Sequence, residues 1–182
     1  MKDIIVMGAG DLSKDIAWLI ERINNNNPEW NLLGFTEVTD EKEFEGYPIL
    51  GNDDVVNNYK DTYVVCGVAN TKVREKIINN LSNDIKIATL IDPSAIIHRT
   101  AIIEEGSIVF ANTLVGINAH VGKHNVLLYG VNVNHDVKVG NFVTMYPNAT
   151  ISGKCIIGNN CELGTGSSII QGKTICDNCS KP

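Results

Sequence analysis

The sequence predicts a two-part chain. An α/β, Rossmann-like N-terminal domain over residues 1–90 is followed by an all-β, hexapeptide-repeat solenoid, a parallel β-helix, over 91–182. Three observations carry this. Strand-like and helix-like patterns alternate through the first half. A Gly-rich turn directly follows the first strand candidate. From Ile91 onward a six-residue register runs without a break.

Composition narrows the function classes. The 182 residues carry 15 Lys plus Arg against 21 Asp plus Glu, a formal charge of -6. A chain this acidic, with no dense basic stretch, argues against nucleic acid or an anionic membrane as partner. With 43% hydrophobic and 20% charged residues a folded chain is expected. Aromatics make up only 6%, so small and branched aliphatics must fill the core. The apolar run Ile4 to Met7 stops at Gly8, and no run reaches the roughly 20 residues of a membrane span. These features predict a cytoplasmic protein without a signal peptide. Five cysteines do not suggest a disulfide framework.

In the first half the strand candidates are Ile4–Met7, Leu32–Thr36, Tyr63–Cys66 and Lys86–Ile91. Helical patterns lie at Leu12–Ile23 and Thr71–Leu81. Leu12, Ile16, Leu19, Ile20 and Ile23 have helical spacing, and Asn24–Asn27 with Pro28 form a stop. Alternation of this kind implies a parallel sheet covered by helices. Residues 45–51, from Glu45 to Gly51, read as a loop or small hairpin.

In the second half each hexad begins with Ile, Val, Leu or Met in 15 of 15 cases. The fifth position is Ala, Ser, Thr, Val or Cys in 13 of 15, with Asn125 and Lys173 the exceptions. The fourth is Gly or Asn in 9 of 15, the residues that best tolerate a left-handed backbone. Three hexads close one triangular coil, which gives five coils and a column of roughly 24 Å. The register also explains Cys176 and Cys179, which resemble a metal or redox C-x-x-C. Cys155, Cys161 and Cys179 all fall on the small inward position, where Cys acts as a small hydrophobe, and no metal site is expected.

Two motifs carry chemistry. Gly8-Ala9-Gly10-Asp11-Leu12-Ser13 stands between a strand and a helix, where glycines let a phosphate approach the backbone and the helix N-terminus stabilises its charge. Glu37 or Asp40 can bind a ribose hydroxyl. Asn70 and Arg74, beyond Gly67, fall on the same carboxyl edge as phosphate or base contacts. A plain tight turn, and a solvated helix face for Arg74, stay open beside this reading. About 90 residues favour a mononucleotide or sugar nucleotide over a dinucleotide.

The second motif is Asn134-His135-Asp136. Only His135, of four histidines, is followed directly by a carboxylate. Imidazole is the natural general base near neutral pH, and an adjacent acid fixes its tautomer. Neighbours in a strand point oppositely, so Asp136 can orient His135 only at a corner, which its fourth-position placement allows. A surface His beside a surface Asp is the bland alternative; the remaining histidines read as solvated or inter-coil. Gly153, 18 residues on, stacks one coil away, leaves room beside the ring and offers an N–H to an oxyanion or thioester carbonyl.

With these pieces in order, the chain resembles the sialic acid O-acetyltransferase family of sugar acyltransferases, which includes bacterial UDP-amino-sugar N-acetyltransferases. The resemblance rests on the Gly8–Gly10 turn, Leu33-Gly34-Phe35 leading to an acid, residues 46–51, Gly67 with Asn70 and Arg74, Ile91-Asp92-Pro93-Ser94-Ala95, and residues 135–140 from His135 to Gly140. It implies a left-handed parallel β-helix packed as a homotrimer, with acetyl-CoA in the groove between neighbouring helices. It implies that the N-terminal domain holds a nucleotide sugar and that His135, oriented by Asp136, takes a proton from the sugar's amine or hydroxyl. Gly8, Gly10, Glu37, Asn70 and Arg74 would line the nucleotide end, and Gly153, Gly164 and Gly166 the cofactor end. Ser13 stands where the family usually has Gly, Leu128 where many members carry Asn, and Thr144 where many carry a second His. Family members add a further coil, so the second domain is expected to be shortened at its C-terminus.

The expected activity is acetyl transfer from acetyl-CoA to an amine or hydroxyl of an amino sugar or sialic-acid-type sugar, for glycan synthesis. The alternative is a trimeric binding or assembly protein with impaired catalysis. A nicotinamide oxidoreductase, read from the Gly turn alone, lacks a catalytic domain.

Overall fold

The computed structural model describes residues 1–181. The chain divides into two compact units, Met1–Ala88 and the remainder from Thr89. Thr89 and Leu90, assigned to the first domain from sequence, are therefore residues of the second unit.

The first unit comprises β1 (Lys2–Met7), α1 (Asp11–Asn26), β2 (Trp30–Thr36), β3 (Glu43–Phe44), β4 (Tyr47–Gly51), a 3-10 helix (Asp53–Asn58), β5 (Tyr63–Cys66), α2 (Thr71–Asn79) and β6 (Lys86–Ile87). The sheet order is β3-β4-β2-β1-β5-β6, parallel except for the β3–β4 hairpin. Ile4, Ile5, Val6 and Met7 are fully buried, as a central parallel strand requires. The helix α1 buries Leu12, Ile16, Leu19, Ile20 and Ile23. It outruns its expected stop by continuing through Asn26. The Asn24 side chain explains the tolerance: it accepts from the Glu29 and Trp30 N–H groups at 3.0 and 2.9 Å and donates to the Trp30 carbonyl at 2.8 Å. Asn24 thus ties the helix end to β2 rather than ending the helix.

One expected strand, Lys86–Ile91, is two. Lys86–Ile87 pairs with β5, whereas Leu90–Ile91 pairs with Ile108–Val109 in the solenoid. Residues 45–51, expected as a loop or small hairpin, supply the turn and second strand of a hairpin whose first strand, Glu43–Phe44, precedes them; that second strand also joins β2 in parallel.

The second unit is a parallel β-helix of two-residue strands on three faces. The first face stacks Leu90–Ile91, Ile108–Val109, Val126–Leu127 and onward every 18 residues. The second face begins at Ile96–Ile97 and the third at Ile102–Ile103, each with the same spacing. First- and fifth-position side chains fill the interior, from Val115 and Ala119 to Leu163 and Ile169. Every fourth-position residue from Gly106 to Asn178 has positive φ, between +54° and +75°. The pattern predicted Gly or Asn at these corners, and the left-handed turn extends to His124, Asp136, Phe142 and Lys154. Such a backbone costs an ordinary side chain about 1–2 kcal/mol and Asn or Asp less.

Asn125, an exception to the small inward rule, is buried with its amide fully used. It donates to the Gly122 and Gly140 carbonyls at 2.8 and 2.9 Å and accepts from the Val143 N–H at 2.6 Å. Lys173, the other exception, is exposed. The Cys176 and Cys179 side chains meet at the end of the column. Both lie in one corner hexad, with Cα atoms 6.0 Å apart, within disulfide reach. Cys179 still packs against the solenoid core.

Candidate functional sites

In the first unit, the carboxyl ends of β1, β2 and β5 converge on the Gly turn. Gly8 has φ +93°, and a Cβ there would stand 3.2 Å from Val68 Cγ2, so the turn requires glycine twice over. A Cβ on Gly10 would meet nothing within 4 Å, which leaves the start of α1 open. Ser13, in the place of a third glycine, is fully buried. Its hydroxyl donates to the Gly8 carbonyl at 2.8 Å and lies 3.3 Å from the Gly67 carbonyl. Gly67 has no room for more: a Cβ there would come within 2.2 Å of Ser13 Oγ. Ser13 therefore clasps the turns after β1 and β5 together.

Glu37 lies at the Gly turn, with Oε2 accepting from the Ala9 N–H at 3.3 Å and Oε1 from the Val38 N–H at 2.9 Å. Asn70 is exposed and caps α2 by accepting from the Val73 N–H at 3.0 Å. Arg74 does not lie on a solvated helix face. It is 1% exposed, and its Nη1 donates to the Val68 and Ala69 carbonyls at 2.7 and 2.9 Å. Those bonds shape the loop before α2, which rules out the solvated helix face for Arg74.

Sequence reasoning missed Asp53. Its carboxylate accepts from the Thr36 hydroxyl at 2.5 Å, while Gly8 N–H donates to the Thr36 carbonyl at 3.0 Å. A cavity of about 240 Å³ is lined by Gly8, Thr36, Glu37, Asp53 and the apolar Val38 and Val73. A neighbouring one of about 310 Å³ shares Asp53 and Val73. The signal was available: Asp53 lies just past β4, on the carboxyl edge where ligands of open α/β sheets bind.

In the second unit, His135 lies in the corner between the second and third faces, and its side chain is 49% exposed. Its Nδ1 is 2.9 Å from Asp136 Oδ2. The positive φ of Asp136, +57°, turns two adjacent side chains to the same side. The Asp136 N–H is fixed to the Ile117 carbonyl at 2.8 Å and the His135 carbonyl accepts from Lys154 N–H at 3.0 Å. Asp136 titrates below the usual carboxylate range. The largest cause is the hydrogen bond with His135, then one from Asn118, with the Lys154 cation adding to it. Asn118, which sequence reasoning did not name, donates from Nδ2 to Asp136 Oδ1 at 3.2 Å. It stands 18 residues before Asp136, one coil, so the repeat itself could have found it.

Gly153 is buried beneath the imidazole: a Cβ there would lie 2.4 Å from His135 Cε1 and Nε2. The ring fills the space expected beside it. Gly164 and Gly166 fall elsewhere. They occupy the corner after the first face, not the corner of His135 in the same prism, and their N–H groups donate to the Lys181 and Pro147 carbonyls. The other histidines have structural partners. His98 Nδ1 is 3.0 Å from Thr100 Oγ1, His120 Nε2 is 2.5 Å from Glu104 Oε1, and His124 is buried and stacked on Phe142. Among the described residues no group of His, Cys, Asp and Glu side chains could hold a metal ion, and no helix is long and apolar enough to cross a membrane.

Comparison with known proteins gives the following similarities. The GDP-perosamine N-acetyltransferase of Escherichia coli O157:H7 is 25% identical over 174 residues, 92% of this chain and 77% of that protein. The acetyltransferase domain of PglB from Neisseria gonorrhoeae FA1090, solved in complex with acetyl coenzyme A, is 26% identical, with a TM-score of 0.90 over 98% of this chain and 87% of that one. PerB from Caulobacter crescentus, solved with CoA and GDP-perosamine, shares the fold at 20% identity and a TM-score of 0.87, over 99% and 86% of the two chains. Residues 3–81 match the PglD N-terminal domain family.

Proposed function

We propose that the chain is an acetyl-CoA-dependent acyltransferase that acetylates the amine of a nucleotide-linked amino sugar. The carrying observation is the exposed His135 ring, tied at Nδ1 to Asp136 and resting its Nε2 edge on Gly153. A ring whose Nδ1–H is held by a carboxylate presents Nε2 as the basic nitrogen. Nε2 then removes the proton from the amine as that nitrogen bonds to the acetyl carbon. Asp136 stabilises the imidazolium. Acetyl-CoA supplies the activated acetyl group as a thioester, and coenzyme A departs as the thiol, taking from the imidazolium the proton that Nε2 removed.

The oxyanion needs a donor, and the Gly153 N–H is the one we assign. At the equivalent position of the next corner, the N–H groups of Lys123, Asn141 and Asn159 donate to side chains one coil on, at 2.7–2.8 Å. Backbone donors at this position therefore face acceptors presented along the solenoid surface. Residue 171, one coil beyond Gly153, is the exposed Gln171. The Gly turn, Glu37, Asn70 and the cavity at Asp53 are assigned to the nucleotide, and Arg74 to the loop that shapes that end. The Escherichia coli relative is a GDP-perosamine N-acetyltransferase, which favours an amine acceptor over a sialic-acid hydroxyl. Ile96, Ile102 and Ile117, each more than half exposed on the prism, support packing of copies into a trimer. Both substrates belong to cytoplasmic pools, so a cytoplasmic enzyme is expected.

The test is release of coenzyme A thiol from acetyl-CoA with a panel of GDP- and UDP-linked amino sugars and free sialic acid. Wild type should turn over an amino-sugar nucleotide, and His135→Ala should lose about 10²–10⁴-fold in kcat. Equal thiol release from the two proteins would leave only the architecture standing.

A further inference from the structure

We propose that Asn118 is a positioning residue that sets the His135–Asp136 pair for proton transfer, a role that rests on the acyltransferase reading above. The geometry is a relay across two coils. Asn118 Nδ2 donates to Asp136 Oδ1 at 3.2 Å, and Asp136 Oδ2 faces His135 Nδ1 at 2.9 Å. Each carboxylate oxygen thus has its own partner, and rotation that would release the ring must also break the amide bond. Asn118 is itself locked. Its φ is +54°, and its N–H donates to Thr100 Oγ1 at 2.9 Å, one coil earlier.

The residue type is specific to this task. A carboxylate at position 118 would repel Asp136, and an apolar residue would leave Oδ1 to solvent. The amide offers a donor without a charge, on a residue that tolerates the left-handed backbone. On the other side of Asp136 in the same column lies Lys154, whose cation favours the ionised carboxylate. The remaining charged groups of the corner are Arg99, two coils before His135 in its column, and Lys173 at the far end of the corner. None of the three can replace a directed donor to Oδ1.

The experiment uses the full chain with Asn118→Gly, which keeps the left-handed backbone and the Thr100 bond while deleting the amide. Asn118→Asp is the companion, placing a like charge against Asp136. Three readouts are taken: the Asp136 carboxyl titration by carbon NMR, the His135 ring tautomer by nitrogen NMR, and kcat against KM. Expected are an Asp136 midpoint that rises toward the ordinary carboxylate value, a smaller fraction of the Nδ1–H tautomer, and a kcat about tenfold lower with KM for acetyl-CoA unchanged. Asn118→Asp should show the larger changes. An unmoved Asp136 midpoint and tautomer in Asn118→Gly overturn the proposal, as does an unmoved kcat with altered spectra. Failure of wild type to transfer acetyl groups would instead overturn the acyltransferase reading, and the catalytic role of Asn118 with it, even if the spectra change.

Discussion

The imidazole of His135 rests on the α-carbon of Gly153, so that a methyl group added at that carbon would lie 2.4 Å from two ring atoms. One coil of 18 residues separates the two, and the repeat makes them neighbours. Gly153 shows no left-handed backbone, so its glycine is required by the ring and not by the chain's own conformation.

Gly153→Ala should therefore act on turnover more than on folding. The imidazole is exposed and can swing away from a new methyl, at the cost of its alignment with Asp136 and the acceptor. A displacement near 1 Å costs about 100-fold in rate. The expected result is kcat down by about that factor with a thermal midpoint close to wild type. A midpoint that collapses along with the rate would mean that the glycine serves packing instead.

Asp136 gives a pH signature with a definite sign. Its native carboxyl titrates below the usual range, chiefly through the hydrogen bond with His135 and then that with Asn118. A depressed native value means that the unfolded chain binds the proton first as pH falls. The stabilisation is present above the ordinary carboxylate range and disappears as pH drops through the depressed native value. Asp136→Asn removes it. Thermal melts of the two proteins should differ near neutral pH and converge under acid conditions. A gap of constant size across that range would contradict the assignment.

How much of this was legible depended on periodicity. A solenoid converts sequence spacing into spatial adjacency, so His135, Asp136 and Gly153 could be placed by counting, and Asn118 by the same count. Gly164 and Gly166 show the limit. The register gives their height along the column, but within one prism they occupy a different corner, and spacing alone does not say which corners work together. In the α/β unit no such rule operates. Ser13 could be seen as a departure from glycine, yet its clasp onto Gly8 and Gly67 depends on strand order, which brings residues 54 positions apart into contact. Asp53 was missed for the same reason, because its meaning lies in Thr36 on a neighbouring strand.

Arg74 separates a scaffold from a ligand contact. Taken from sequence, it is a basic residue near a phosphate turn, but its buried guanidinium donates to the carbonyls of Val68 and Ala69. Truncation to Leu leaves those carbonyls without their donor and should destabilise the α/β unit by about 2–4 kcal/mol with no ligand present. Arg74→Lys keeps the charge but lacks the planar fork and should fall between. Urea unfolding followed by fluorescence of Trp30, in the core of that unit, reads the loss. Nucleotide-sugar affinity should weaken in the same order, because the loop that Arg74 shapes carries Asn70. Were Arg74→Leu as stable as wild type and deficient only in binding, the side chain would have to leave its buried site to reach the ligand, and the scaffold role would be wrong.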